Sequence, residues 1–405
     1  MYSFVIYVYL LVVKIVSLFN KKVRLMVNGH AKVFDILREN IKEGEPYIWF
    51  HAASLGEFEQ GRPLMERIRR QYPEYNILLT FFSPSGYEVR KNYEGADVIC
   101  YLPFDTPRNV RRFLDLAHPA MAFFIKYEFW QNYLKALQRR HIPVYSVSSI
   151  FRKEQVFFRW YGGQYYKVLT RFTHLFVQNE ISKNLLSQLG IRDVTVVGDT
   201  RFDRVVEIMQ QAKRLPLVQA FKQDYPVFVA GSSWPPDEDL FIEYFNTHPE
   251  WKLIIAPHVI GENHLQDIIS KLKRPYVRYT RATEENVKQA DCLIVDCYGL
   301  LSAIYRYGEI AYIGGGFGVG IHNVLEAAVY GVPVMFGPNN KRFREARQLL
   351  QEGGAFEIQD AAGFKALTDR LLSDEAFLKK SGDAAGRYVK GNAGAADKIL
   401  SMIDF

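Results

Sequence analysis

The chain has 405 residues, 48% hydrophobic and 15% aromatic, which excludes a disordered or fibrous protein and leaves room for two domains of about 180 residues each. Its 51 Lys and Arg against 44 Asp and Glu give a net charge of +7, suited to a nucleotide, a phosphorylated lipid or an anionic membrane surface. The basic residues are dispersed and no RNA-binding or zinc-finger pattern occurs, so no nucleic acid is expected; Cys100, Cys292 and Cys297 form no C-x-x-C and read as thiols of a reducing compartment.

Residues 1–20 open with "MYSFVIYVYLLVVKIVSLF", followed by Asn20, Lys21, Lys22 and Arg24. No basic residue precedes the apolar run and no small-x-small site follows it, which argues against a cleaved signal peptide and for a membrane segment. About 20 apolar residues are enough to span a bilayer. On a helix, however, Ser3, Tyr7, Lys14, Ser17 and Lys21 share one sector, as in a helix lying in the interface. Either arrangement leaves the body of the protein on the cytoplasmic side, next to the basic cluster.

From residue 47 the runs "YIWFHAAS", "NILLTFF", "DVICYLP", "MAFFIKY", "PVYSVSS", "THLFVQN" and "DVTVVGD" predict strands, many apolar throughout, as in a parallel sheet covered by helices on both faces. A helical stretch over 203–222 follows, and the alternation resumes with "PVFVAGSS", "WKLIIAPH", "PYVRYT", "DCLIVDC", "EIAYIGG" and "VPVMFGP". This predicts an α/β protein of two Rossmann-like doubly wound domains facing a central cleft, over 21–205 and 206–385, after an N-terminal membrane helix. A helical tail, 386–405, packs back on the first domain.

In such sheets ligands meet the C-terminal ends of the strands, which directs attention to the residues just beyond each run. The first is "HAASLGEFEQG", residues 51–61. Ser54 and Glu57 have the spacing of a capping box. A helix starting at Ser54 would put Pro63 deep inside, so the expected start is nearer Gly61, with Gly56 and Glu57 left in the loop. Glu128 in "KYEFWQN" and Arg201 in "GDTRFD" occupy equivalent strand ends. In the second half the candidates are Ser232 and Ser233, Pro257 and His258, and the stretch "GGGFGVGIHNVLEAAVYGVPVMFGP" with Gly315, Gly316, His322, Asn323 and Glu326. There, glycines would let backbone approach a ligand, a helix opening near His322 would face a phosphate, and Glu326 would accept ribose hydroxyls. The glycines do not form G-x-G-x-x-G, and no Gly-Lys pair makes a P-loop. Asp237 and Asp239 in "WPPDEDLF" read as helix-start acids, and no metal site is expected.

Taken together, "WFHAASLGE", "KYEFWQN", "GDTRFD", "APH", "DCYGLL" and "GIHNVLEAAVYGVPVMFGP" resemble the 3-deoxy-D-manno-octulosonic acid (Kdo) transferases of lipopolysaccharide synthesis, over essentially the whole chain. The resemblance implies a GT-B glycosyltransferase without metal or cofactor on the cytoplasmic face of the bacterial inner membrane. The implied donor is CMP-Kdo and the acceptor a phosphorylated lipid A precursor. By position it makes Glu57 the catalytic base and Glu128 and Arg201 supports of the transition state. It also places CMP on Pro257, His258, Tyr298, Gly299, Leu300, Asn323, Val324, Leu325 and Glu326. His258 stands where the family usually has arginine, Arg201 where it has lysine, Leu300 where glutamate is common, and Ile321 where it has glycine. A UDP-sugar transferase, a nucleotide-sugar epimerase and a non-catalytic nucleotide sensor are the competing readings of the same fold.

Overall fold

The computed structural model describes residues 2–163 and 165–405. The chain divides into two compact units, Met1–Arg204 with Ala393–Phe405, and Val205–Asn392.

The first unit is built on strands β1 (Tyr47–Ala52), β2 (Asn76–Phe81), β3 (Val98–Tyr101), β4 (Pro119–Ile125), β5 (Val144–Ser149), β6 (His174–Val177) and β7 (Val194–Val196). They pair in parallel in the order β3-β2-β1-β4-β5-β6-β7. Alternate side chains enter opposite cores. Trp49 packs with Phe113, Phe124 and Tyr133 on one face, while Phe50, on the other, stacks on Phe123 at 4.8 Å. Each such ring buried stabilises the fold by about 1.5–3 kcal/mol, which explains why β1 tolerates no exposed residue. The last residues of the chain close the second face. Phe405 stacks on Tyr72 at 3.9 Å, and Asp203 accepts the backbone N–H of Gly394 and Ala395 at 3.0 and 3.1 Å.

Two helices precede the sheet, α1 (Tyr2–Ser17) and α2 (Lys21–Asn40), the latter capped by Asn20, which accepts from the N–H of Lys22 and Val23. Among the described residues no helix is long and apolar enough to cross a membrane. The expected spanning helix is therefore corrected: with 16 residues α1 is about 24 Å long, short of a hydrocarbon core of about 30 Å, and the chain turns at Asn20. Val13 and Ser17 are buried and the Tyr2 hydroxyl donates to Asp105 at 2.7 Å, whereas Phe4, Val8, Leu11, Val12 and Ile15 stay exposed.

A second correction concerns α3 (Leu55–Gln71), which starts directly after Ser54 and carries Pro63 in its interior. A proline there costs about 3 kcal/mol. Against it, Phe58, Gly61, Met65 and Ile68 follow a helical stripe across Pro63 and are all buried, and a helix starting at Gly61 would lose Phe58, the one large aromatic of that stripe.

In the second unit β8 (Val227–Ser233), β9 (Lys252–Pro257), β10 (Tyr276–Arg278), β11 (Cys292–Ile294), β12 (Ile310–Ile313), β13 (Val334–Phe336) and β14 (Ala355–Glu357) pair in parallel in the order β10-β11-β9-β8-β12-β13-β14. The helix expected over 203–222 is two, Thr200–Gln211 and Pro216–Lys222, since Pro216 starts the second. The helix expected from His322 shrinks to Leu325–Ala328.

Candidate functional site

In each sheet the strand order reverses beside the first strand, between β1 and β4 and between β8 and β12, the positions at which open α/β sheets bind ligands. In the first unit α3 leaves β1 there, and its first turn presents Glu57. One carboxylate oxygen accepts from the Ser54 hydroxyl, which makes no backbone cap bond, and the other lies 3.8 Å from Lys126 Nζ, just beyond β4. Gly56 leaves the space beside Glu57 open: an added Cβ would meet only Ser54 Oγ, at 3.8 Å.

Glu128 takes a different direction. Its Oε2 accepts from Trp130 Nε1 at 2.7 Å and lies 3.1 Å from Nε2 of the buried His51, whose Nδ1 is 2.9 Å from Thr80 Oγ1. His51 Nδ1 is also 3.2 Å from the Thr80 carbonyl oxygen and Trp130 Nε1 is 3.2 Å from His51 Nε2, so the indole and the imidazole together hold the Glu128 carboxylate in place. Arg201 opens the helix Thr200–Gln211, and its guanidinium meets Asp199 at 2.8 and 2.9 Å. Glu57 and Lys126 are thus brought together directly, while Arg201 is tied to α3 through Asp199 and Gln60. Sequence reasoning missed Lys126, His51, Trp130, Gln60 and Asp199. Lys126 carried the same signal as Glu128, a charged residue immediately after an apolar strand.

In the second unit three rings stack beyond the ends of β8, β9 and β12. His258 lies against Trp234 at 4.9 Å and against His322 at 4.3 Å, and Trp234 Nε1 donates to His322 Nε2 at 3.2 Å. Burial first, and then the proximity of His258, lower the pKa of His322. Trp234 is a further residue missed, hidden by the more conspicuous "PPDED". Ser232 holds a left-handed backbone with φ of 52°, and Ser233 Oγ donates to the buried Glu238 at 2.8 Å. Asp237 accepts from the N–H of Trp234 and Gly315 and from the Tyr312 hydroxyl, and Asp239 pairs with Lys271 at 2.9 Å, so both acids have protein partners.

The glycines do different work from that expected. A Cβ on Gly314 would lie 2.3 Å from the Ser232 carbonyl oxygen, and one on Gly316 2.4 Å from the Gly337 nitrogen; both serve backbone packing inside the unit. Only four residues long, the helix Leu325–Ala328 does not supply the extended N-terminus envisaged for a phosphate. Asn323 and Glu326 do share a face: Asn323 Nδ2 donates to Glu326 Oε1 at 3.0 Å, and Ser302 donates to Oε2. Ser302 follows closely on the loop Tyr298, Gly299 and Leu300, which brings that loop beside Glu326, with Tyr298 73% exposed and Gly299 at φ 92°. Val324 and Leu325 are buried beneath Asn323, and Pro257 ends β9.

Residues 29–204 match the family model described as 3-deoxy-D-manno-octulosonic-acid transferase (kdotransferase). The chain is 28% identical over 366 residues to the 3-deoxy-D-manno-octulosonic acid transferase of Aquifex aeolicus (strain VF5), across 87% of this chain and 94% of that one. It is 26% identical over 371 residues to the protein of that name from Haemophilus influenzae, across 88% and 86%. Among solved structures, UDP-GlcNAc 2-epimerase from Neisseria meningitidis bound to UDP-GlcNAc matches with a TM-score of 0.61 over 88% of this chain and 98% of that one; at 14% identity this likeness shows the fold alone. Paired parallel α/β units with polar side chains gathered at their switch points are the architecture of GT-B-like glycosyltransferases, and the chain is an enzyme of that class. Within that class, the match over residues 29–204 and the relatives compared make it similar to the Kdo transferases.

Proposed function

We propose that the enzyme transfers Kdo from CMP-Kdo to a hydroxyl of a phosphorylated lipid A precursor, with inversion at the anomeric carbon. The observation that carries this reading is Glu57 in the first turn of α3, with open space at Gly56 beside its carboxylate. Glu57 takes the proton of the acceptor hydroxyl as that oxygen bonds to the anomeric carbon, the bond from that carbon to the phosphate oxygen breaks, and CMP leaves with the electron pair. Glu128 and Arg201 support charge in the transition state. The first unit receives the acceptor. In the second, Pro257, His258 and the residues Tyr298 to Leu300 and Asn323 to Glu326 hold CMP, with the Glu326 carboxylate accepting from the ribose. No cofactor takes part. The exposed apolar side of α1 attaches the enzyme to the cytoplasmic face of the inner membrane.

Glu57→Gln keeps the shape and removes the base. A positioned base contributes about 10²- to 10⁴-fold, so this variant loses turnover by that factor while binding CMP as the parent does in calorimetry. Parent-like turnover of labelled CMP-Kdo onto lipid acceptor removes the assignment, and tighter binding of UDP than of CMP removes the donor.

A further inference from the structure

Resting on the Kdo-transfer reading, we propose that Lys126 binds the carboxylate of the donor sugar beside Glu57 and thereby selects an acidic sugar as donor. Lys126 has φ of 62°, a left-handed backbone that residues with a Cβ seldom adopt. Two hydrogen bonds hold it there: its N–H donates to the Val147 carbonyl at 2.8 Å, and its own carbonyl accepts from Ser149 Oγ at 2.7 Å. Glycine or asparagine would fit this backbone with less strain, so what lysine adds is the ammonium. That ammonium is underused. Its single ion pair among the described residues, to Glu57 Oε1 at 3.8 Å, is longer than a hydrogen bond, and three N–H donors remain to be satisfied on a side chain 25% exposed.

The chemistry of the donor supplies the partner. An ulosonic acid carries its carboxylate on the anomeric carbon, one bond from the site of attack. A base that reaches the attacking hydroxyl must come close to that carboxylate, and the two like charges repel unless a cation lies beside both. Arg201, the other cation of this site, has its guanidinium on Asp199. Lys126 is the ammonium already next to the base, and turning its free N–H groups to the donor screens the repulsion at the moment of transfer.

The test compares CMP-Kdo with its neutral C1-carboxamide analogue on the parent, Lys126→Met, Lys126→Arg and Lys126→Asn. Removing one such charged contact costs about 10²-fold. Lys126→Met is therefore expected to lower kcat/KM for CMP-Kdo by about that factor, to leave the carboxamide rate unchanged, and to leave CMP binding as in the parent. Lys126→Arg restores most of the preference for the acid. Lys126→Asn, which suits the left-handed backbone, behaves as Lys126→Met with a melting temperature no lower than the parent's, and so separates charge from folding. Equal losses on both donors, no loss on CMP-Kdo, or a loss that vanishes with dephosphorylated acceptor overturns the proposal. Failure of the parent to transfer Kdo at all is a different result and strikes at the proposed function.

Discussion

Gln60, one turn beyond Glu57 on α3, donates from Nε2 to Asp199 Oδ1 at 3.2 Å, and Asp199 holds the Arg201 guanidinium through its other oxygen. The helix that carries the candidate base therefore also positions the residue that orients Arg201. Gln60 is fully buried, and replacing it with leucine keeps the volume while removing the donor. Gln60→Leu is expected to cost about 1–2 kcal/mol in urea unfolding and to lower kcat by roughly tenfold with little change in KM for CMP-Kdo. A variant that loses stability but keeps the parent kcat shows that this link is structural only.

His30 on α2 predicts how the first unit responds to acid. Its ring stacks on Phe104 at 4.1 Å, and burial lowers its pKa to about 4. The unfolded chain takes up that proton near pH 6.5, which the folded ring does so only near pH 4. The contribution is whole above pH 6.5 and is lost as pH falls toward 4, by about 3 kcal/mol. The buried Asp105 and Asp203, whose pKa values burial raises, slope the other way, so the difference between parent and His30→Leu is the quantity to measure. Parallel stability curves for the two from pH 7 to pH 4 would falsify this assignment.

Why so much of the fold was legible, and some was not, follows from what each segment buries. Thirteen strands coincide with runs read as strands in the sequence, most of them apolar because both faces of the sheet are covered there; β14, three residues at a sheet edge with Glu357 only half-buried, gave no such run. At Pro63 a local rule was given more weight than the stripe from Phe58 to Ile68, and packing decided for the stripe. Around Gly314 the glycines were read as room for a ligand, yet the atoms they accommodate belong to Ser232, Ser233 and Gly337, which lie far off in sequence. Strand ends located Glu57, Glu128 and His258. Pairings such as Glu57 with Lys126, or Trp234 with His322, depend on the order of strands in the sheet, which periodicity does not encode.

Two glycines five residues or fewer apart should respond oppositely to alanine. On Gly314 the new methyl would fall 2.3 Å from the Ser232 carbonyl oxygen and 2.6 Å from Ser233 Cα, both backbone atoms that cannot swing aside. On Gly318 it would meet nothing within 4 Å. Gly314→Ala is expected to destabilise by about 3 kcal/mol, the upper end for overpacking, and to weaken CMP binding because Ser232 and Ser233 must move. Gly318→Ala should melt within about 0.5 kcal/mol of the parent, as surface substitutions do. Thermal unfolding of the two side by side checks the contrast, and an unchanged melt for Gly314→Ala contradicts it.

The outward side of α1 predicts that the protein binds lipid vesicles. Val13 and Ser17 are the buried residues of α1, so changes on the opposite face should leave the unit folded. That face exposes Phe4, Leu11, Val12 and Ile15, with Phe19 just beyond, a run of large apolar side chains that water disfavours and that the acyl boundary of a bilayer would cover. Burying each is worth about 1.5–3 kcal/mol, while Lys21, Lys22 and Arg24 add about 1 kcal/mol each where the lipid is anionic. Vesicles of phosphatidylethanolamine and phosphatidylglycerol should therefore sediment the parent, and Leu11→Asp with Ile15→Asp should reduce the bound fraction by at least roughly tenfold at an unchanged melting temperature. Raising the salt should weaken the parent's binding without abolishing it, since screening removes the basic residues' share and leaves the apolar share intact. Equal sedimentation of parent and double variant would mean that another surface carries the attachment.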